Sequence, residues 1–267
     1  MSDERAAAGA RRAVSELSWW HVIDLGSGVT TPGSWDLRPT ATKMPWPVTL
    51  RGARCLDVGT MDGFWAFEME RRGAAEVIAI DLVDPARQDP FPDGRQRGPT
   101  PPGSLRGRTF AVAADLLGSR AHHVDLSVYD LDANEIGHFD VIVMGFVLQM
   151  LRDPLRGLEA LRRVCRGHLI VLDTVSRPLS LVPAPLARLD ARHDGSEWFV
   201  FNRRGLAQAL RLTGFEVDEV TPILRDSYPR QRGERVAPVA RAMRMLGLRG
   251  RSVALRAHPC DPPSSSP

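Results

Sequence analysis

The chain has 267 residues, 43% hydrophobic and 25% charged, enough for one sizeable α/β domain with appendages. Its formal net charge is +3, and of 35 basic residues only Lys43 is a lysine, a mild basicity that makes little case for a nucleic-acid surface. No apolar run approaches the roughly 18 residues of a membrane span; Met1–Arg5 lacks an apolar signal core; and three scattered cysteines, Cys55, Cys165 and Cys260, lack metal-ligand spacing and fit a reducing cytoplasm, so no metal is expected.

Residues 3–17 predict an amphipathic helix, with Val14 and Leu17 among charges. The stretch from Trp19 to Gly33, WWHVIDLGSGVTTPG, then crowds aromatics, a histidine, an acid and turn residues into one short piece, the composition of a lid. His21 is the candidate general base, since imidazole titrates near neutrality; the alternative role is to hold the lid in place. Asp24 orients His21, contacts substrate or caps a turn. Trp19 and Trp20, with Thr31, are candidate substrate contacts and Trp35 a candidate wall for a cofactor; packing of the lid is the competing role. Pro45–Pro47 links into the core.

Cys55–Val58 is a short apolar run suited to a buried parallel strand. The turn Asp57-x-Gly59-Thr60-x-Asp62-Gly63 follows, where Gly59 permits a positive φ and close approach of a ligand. Phe64, Trp65, Phe67 and Met69 give the next helix its apolar bulk, with Gly73 as its C-cap. Glu76–Asp81 is a second strand with Asp81 at its carboxyl end, where open α/β sheets bind ligands. The turn lacks the G-x-G-x-x-G spacing that seats a pyrophosphate on a helix N-terminus. Its acids Asp57 and Asp62 suit a cationic or zwitterionic ligand, and Asp81 can accept bonds from two ribose hydroxyls. A nucleoside with a positive tail, S-adenosylmethionine, satisfies all three.

Proline, glycine and charge mark 84–108 as a surface insertion. Thr109–Leu117 reads as a helix, Val124–Tyr129 as a strand, Phe139–Gly145 as the fourth strand and His168–Asp173 as the fifth. Leu158, Leu161 and Val164 form a helical face between the last two. Trp198-Phe-Val-Phe-Asn202 leads into a helix carrying Leu206 and Leu210; Asn202 is its expected N-cap, with substrate contact as the second role. Phe215–Thr221 and Ser252–His258 close the sheet, the latter antiparallel. The arginine-rich piece 225–251 is a second insertion, and 259–267 a disordered tail.

Asp57-x-Gly59-x-x-x-Gly63 with Asp81 resembles the class I S-adenosylmethionine-dependent methyltransferases. Trp19 to Gly33, and Trp35-Asp36 after it, resemble the segment before the core in bacterial methyltransferases related to the tRNA wobble-uridine carboxymethyltransferases. Met144, Gly145, Arg152, Pro154 and Leu155 match that family's block after the fourth strand, and Trp198–Asn202 with Gly214-Phe215 a later one. The family's tyrosine or histidine is replaced here by Leu148-Gln149-Met150, which makes the pocket near Gln149 more apolar and a tRNA substrate unsafe to carry over. The resemblance implies a cofactor set of Trp35, Asp57, Gly59, Thr60, Gly63, Asp81, Leu82, Met144 and Gly145. Val128, Tyr129 and Asp130 would meet adenine. Gln149, Trp198 and Asn202 fall on the acceptor side. A carboxylated cofactor would need a cation in the lid, and 23–33 contains no lysine, so ordinary S-adenosylmethionine is expected.

The expectation is therefore a Rossmann-like α/β chain with a doubly wound, seven-stranded, mostly parallel sheet. Residues 1–50 form an N-terminal helix and substrate lid, and 51–258 the core. The expected activity is methyl transfer to an O or N atom of a small-molecule acceptor, as in specialised metabolism. A tRNA-modifying enzyme acting on a wobble uridine is the runner-up, and a noncatalytic cofactor-binding scaffold the third reading. No membrane partner is expected, nucleic acid is the less favoured one, and monomer and homodimer stay open.

Overall fold

Five strands lie parallel at the centre of the computed structural model: β1 (Arg54–Val58), β2 (Glu76–Asp81), β3 (His122–Asp125), β4 (Phe139–Gly145) and β5 (Cys165–Val175). A short hairpin, β6 (Ala187–Leu189) and β7 (Phe199–Phe201), hangs from the end of β5. Next to β5 runs β9 (Arg251–Pro259), antiparallel to it and to the outer strand β8 (Phe215–Ile223). The main order is β3-β2-β1-β4-β5-β9-β8, the expected seven strands; the hairpin adds two. The structure describes residues 2–89, 107–189, 197–223 and 251–260. Nearly all of the expected insertion at 225–251, much of that at 84–108 and the tail from 261 lie outside them.

Alternation along the strands builds two cores. Cys55, Ala79, Val141, Val143, Ile170 and Leu172 face one side, packed by the lid, α1 (Ser2–Ser15), α2 (Arg38–Ala41), α3 (Phe64–Arg71) and α4 (Arg108–Leu117). Leu56, Val58, Ile78, Ile80, Ile142, Met144, Leu169 and Val171 face the other, against α5 (Ala133–Ile136), α6 (Pro154–Val164) and α8 (Arg203–Leu212). The short α7 (Arg177–Ser180) follows β5. Helix starts follow capping chemistry: Asp153 accepts from the Arg156 N–H ahead of Pro154, and Asn202 from the Gly205 N–H. Among the described residues no helix is long and apolar enough to cross a membrane.

One strand is misplaced by the sequence pattern. The strand expected at Val124–Tyr129 is β3, which begins two residues earlier and ends four residues sooner: its ladder closes with the Leu126 N–H on the Asp81 carbonyl at 3.1 Å. The Ser127 hydroxyl then accepts from the Tyr129 N–H at 3.3 Å and turns Val128–Asp130 into a tight helical turn. The hairpin was not foreseen, because Phe199-Val-Phe201 reads equally well as a lead-in to α8.

Candidate active site

The loop after β1 is held by the two acids that flank it. Asp57, on the lid-side face, accepts from the Thr60 hydroxyl at 2.7 Å and the Ala66 N–H at 3.0 Å through Oδ2. Its Oδ1 is buried and has no hydrogen-bond partner among the described residues. Burial pushes the Asp57 carboxyl up to about 7, against the pull of those two bonds, and the Asp81 charge adds to the rise. Asp81 accepts from the Met61 N–H at 2.8 Å and the Leu82 N–H at 2.7 Å, one on each oxygen. Met61 takes φ 52° and Gly59 φ 72°, so the turn sits in left-handed backbone across the strand end. A Cβ on Gly59 would lie 2.4 Å from Val147 Cγ2, which shows how closely the loops after β1 and β4 approach.

These groups fit S-adenosylmethionine. The orphaned Asp57 oxygen asks for a donor such as an ammonium. Asp81, at the carboxyl end of β2, suits a vicinal diol, since a carboxylate accepts about four bonds. The glycine turn offers backbone rather than a phosphate cradle. Val128, Tyr129 and Asp130 share the turn after β3, beside Asp81. The Tyr129 hydroxyl is engaged elsewhere: it donates to Asp89 at 2.7 Å and accepts from the Asp153 N–H at 3.1 Å. Met144 is fully buried with its side chain in the far core, so only its backbone faces the crevice end of β4. Gly145 makes room for Trp65, whose Nε1 would sit 2.6 Å from an added Cβ.

Over this loop lies the lid. Asp62, read from sequence as a ligand-facing acid, instead anchors it: Oδ2 accepts from the Trp20 N–H at 2.6 Å and the His21 N–H at 2.8 Å. Trp35 joins the lid through two backbone bonds, to Val22 and Trp20, each 2.8 Å, and its ring lies 6.0 Å from that of Phe146. Phe146, at φ 59°, is a strained non-glycine residue directly after β4. The His21 side chain is 14 % exposed, with Nδ1 3.8 Å from Asp62 and no hydrogen bond to it among the described residues. Burial lowers its pKa from 6.5, against the Asp62 and Asp81 charges, so at neutral pH the ring is uncharged and able to take a proton.

Four expected substrate contacts are engaged otherwise. Trp19 is buried, and its indole N–H donates to the Val14 carbonyl at 2.9 Å, locking α1 to the lid. The Thr31 hydroxyl accepts from the Ile23 N–H at 2.7 Å and donates to the His21 carbonyl at 2.6 Å. Asp24 caps its own turn, accepting from the Gly26 N–H at 3.0 Å. Asn202 is fully buried with all four polar positions in use, accepting from Leu186 and Gly205 and donating to the Leu179 and Ala184 carbonyls. Gln149 and Trp198 do come together: the Trp198 N–H donates to the Gln149 carbonyl at 2.7 Å. Beside them stands Asp173, which sequence reasoning passed over although it ends the expected fifth strand. Its Oδ2 accepts from the Gln149 N–H at 3.0 Å.

Known structures share this architecture. The [4+2]-cyclase SpnF is 18% identical, over 96% of this chain and 93% of that one, with a TM-score of 0.58. The N-terminal domain of EvdMO1 with S-adenosylhomocysteine bound is 14% identical, over 96% and 97%, with a TM-score of 0.57. The 1,6-didemethyltoxoflavin-N1-methyltransferase of Burkholderia thailandensis, bound to 1,6-didemethyltoxoflavin and S-adenosylhomocysteine, is 18% identical, over 79% and 72%, with a TM-score of 0.51. At these identities the likeness is one of fold. No protein with curated annotation matches in sequence. The methyltransferase domain family matches residues 38–220, more than half of the chain, from before the glycine turn to within β8. The chain therefore belongs to the methyltransferase domain family.

Proposed function

We propose that the chain methylates an O or N atom of a small-molecule acceptor held under the lid, with His21 as general base. The observation that carries this is His21 itself: a mostly buried imidazole whose backbone N–H is held by Asp62, the acid of the glycine turn, and whose Nδ1 lies 3.8 Å from that carboxylate. Bound at that loop, S-adenosylmethionine supplies a methyl group already activated on a sulfonium. Asp81 holds the ribose, the Asp57 carboxyl meets the amino-acid tail, and the turn Val128–Asp130 borders the adenine. Trp20, Trp35 and Phe146 wall the acceptor and exclude water. The bound cofactor would supply the electrophilic methyl group, and His21 would take the proton from the acceptor's O–H or N–H. A neighbour named for N1-methylation of 1,6-didemethyltoxoflavin lends support to a small acceptor.

The test is transfer of radiolabelled methyl from S-adenosylmethionine to a panel of phenols and N–H heteroaromatics, with total tRNA in parallel. Label in a small molecule that disappears with His21→Ala supports the proposal. Label confined to tRNA would instead support the wobble-uridine reading.

A further inference from the structure

Just after β4 and at the end of β5, two side-chain oxygens are buried with no partner among the described residues. Gln149 is 5 % exposed and Thr174 9 %. Neither Gln149 Oε1 nor Thr174 Oγ1 makes a hydrogen bond among the described residues. Both residues hang from one carboxylate: Asp173 accepts from the Gln149 N–H at 3.0 Å and from the Thr174 N–H at 2.6 Å. They adjoin the end of β4, because Leu172 pairs with Gly145 and its carbonyl accepts from the Phe146 N–H at 2.6 Å. An unpaired buried polar atom is destabilising, and two whose backbones share one carboxylate at the ligand-binding end of an open α/β sheet call for a ligand.

We infer that Gln149 and Thr174, aligned by Asp173, form the polar subsite that recognises the methyl acceptor, and that it takes a neutral compound with an N–H or O–H donor beside a carbonyl-type oxygen. The inference rests on the small-molecule reading above. Gln149 Oε1 accepts from the donor, and the Thr174 hydroxyl donates to the oxygen. Anionic acceptors are disfavoured, because a phosphate or carboxylate brought here comes near the Glu197 charge, which already acts on Asp173. Burial first, and that charge in addition, push the Asp173 carboxyl up to about 7. Asp173 is a positioning residue in this scheme: it fixes the backbone of both recognition groups and touches no substrate.

The full chain, saturated with S-adenosylhomocysteine, is titrated by ligand-observed NMR with 2-pyridone, N-methyl-2-pyridone and benzoate. The expected result is saturable binding of 2-pyridone, about fivefold or more tighter than either comparator. Gln149→Leu and Thr174→Val each weaken it by about fivefold or more, and Thr174→Ser retains it. S-adenosylhomocysteine affinity by calorimetry stays unchanged in all three variants. Thr174→Val also leaves Tm unchanged or raises it, because it removes an unsatisfied hydroxyl without changing shape. Equal binding of the three probes, no saturable 2-pyridone binding, or a clearly lower Tm for Thr174→Val would overturn the subsite. RNA methylation by a wild type that binds 2-pyridone as expected would sink the small-molecule reading alone. Small-molecule turnover with unselective probe binding would sink the subsite alone.

Discussion

His21 stands over Asp62: its backbone N–H donates to Asp62 Oδ2 at 2.8 Å, and its ring Nδ1 lies 3.8 Å from the same oxygen. One carboxylate therefore both latches the lid and sets the charge beside the proposed base. Asp62→Ala strands the Trp20 and His21 N–H groups, each of which loses a charge-assisted bond. Its expected effect is a loss of roughly 2–4 kcal/mol of stability by denaturant titration. Faster amide exchange at 20–24 accompanies it. Unchanged exchange there would show that the lid is held by something else.

The same latch gives a pH prediction. The Asp62 charge raises the His21 pKa, while burial lowers it further than the charges restore. The acid limb of kcat/KM therefore falls below pH 6.5, the ordinary imidazole value. In Asp62→Asn, which keeps an acceptor oxygen but loses the charge, that limb moves to still lower pH. His21→Ala slows transfer by roughly 10²–10⁴-fold for an acceptor protonated at working pH, with cofactor affinity intact. An acid limb that survives His21→Ala would assign it to another group.

Asp81 fixes the Met61 and Leu82 N–H groups and, in the proposed site, holds the ribose. Asp81→Ala is expected to weaken S-adenosylhomocysteine binding by roughly 10–100-fold, equivalent to one or two lost charge-assisted bonds. Isothermal calorimetry reads this directly, and an unchanged Kd would take Asp81 out of the site.

Asp57 predicts a proton linkage. Its folded pKa, about 7, lies above the ordinary carboxylate value of 3.8. Its contribution to stability is thus complete below about pH 4 and lost as pH rises through about 7. The Tm difference between wild type and Asp57→Asn should shift in favour of wild type as pH drops from 7.5 to 5. An ammonium placed against Asp57 stabilises the carboxylate, so cofactor binding near pH 7 should release protons. Calorimetry in buffers of different ionisation enthalpy measures that release, and it should vanish in Asp57→Asn.

The sheet was legible because burial on both faces leaves continuous apolar runs, as in Phe139–Gly145, and because Gly59 and Asp81 mark the loop and strand end where ligands bind. Less legible were contacts that depend on register across the fold. The acids of the glycine turn look alike in sequence, yet Asp57 turns inward to Thr60 while Asp62 turns outward to the lid. Thr31 looked like a polar pocket residue, but lies opposite Ile23 and His21 only once the lid folds back on itself. Asp173 lacked any local motif; its role appears when the turn after β4 closes over the end of β5. Distant pairings of this kind carry no periodic signal.

Asn202 gives the last prediction, a structural one. Its Oδ1 accepts from Gly205 at 2.6 Å and Leu186 at 3.0 Å, and its Nδ2 donates to Leu179 at 2.9 Å and Ala184 at 2.8 Å. One side chain thereby caps α8 and closes the loop that follows α7. Asn202→Ala strands these four backbone groups, one buried and three part-buried, and should cost roughly 3–5 kcal/mol. Asn202→Asp keeps the acceptor side but turns a second oxygen towards two carbonyls, a repulsion relieved in part when the carboxyl is protonated. It should therefore be more destabilised at pH 8 than at pH 5, whereas the Ala variant should show no such difference. Because the residue bonds only to protein, the cofactor affinity of the folded fraction should be unaffected in both. A loss of affinity at unchanged Tm would mean that Asn202 faces the ligand after all.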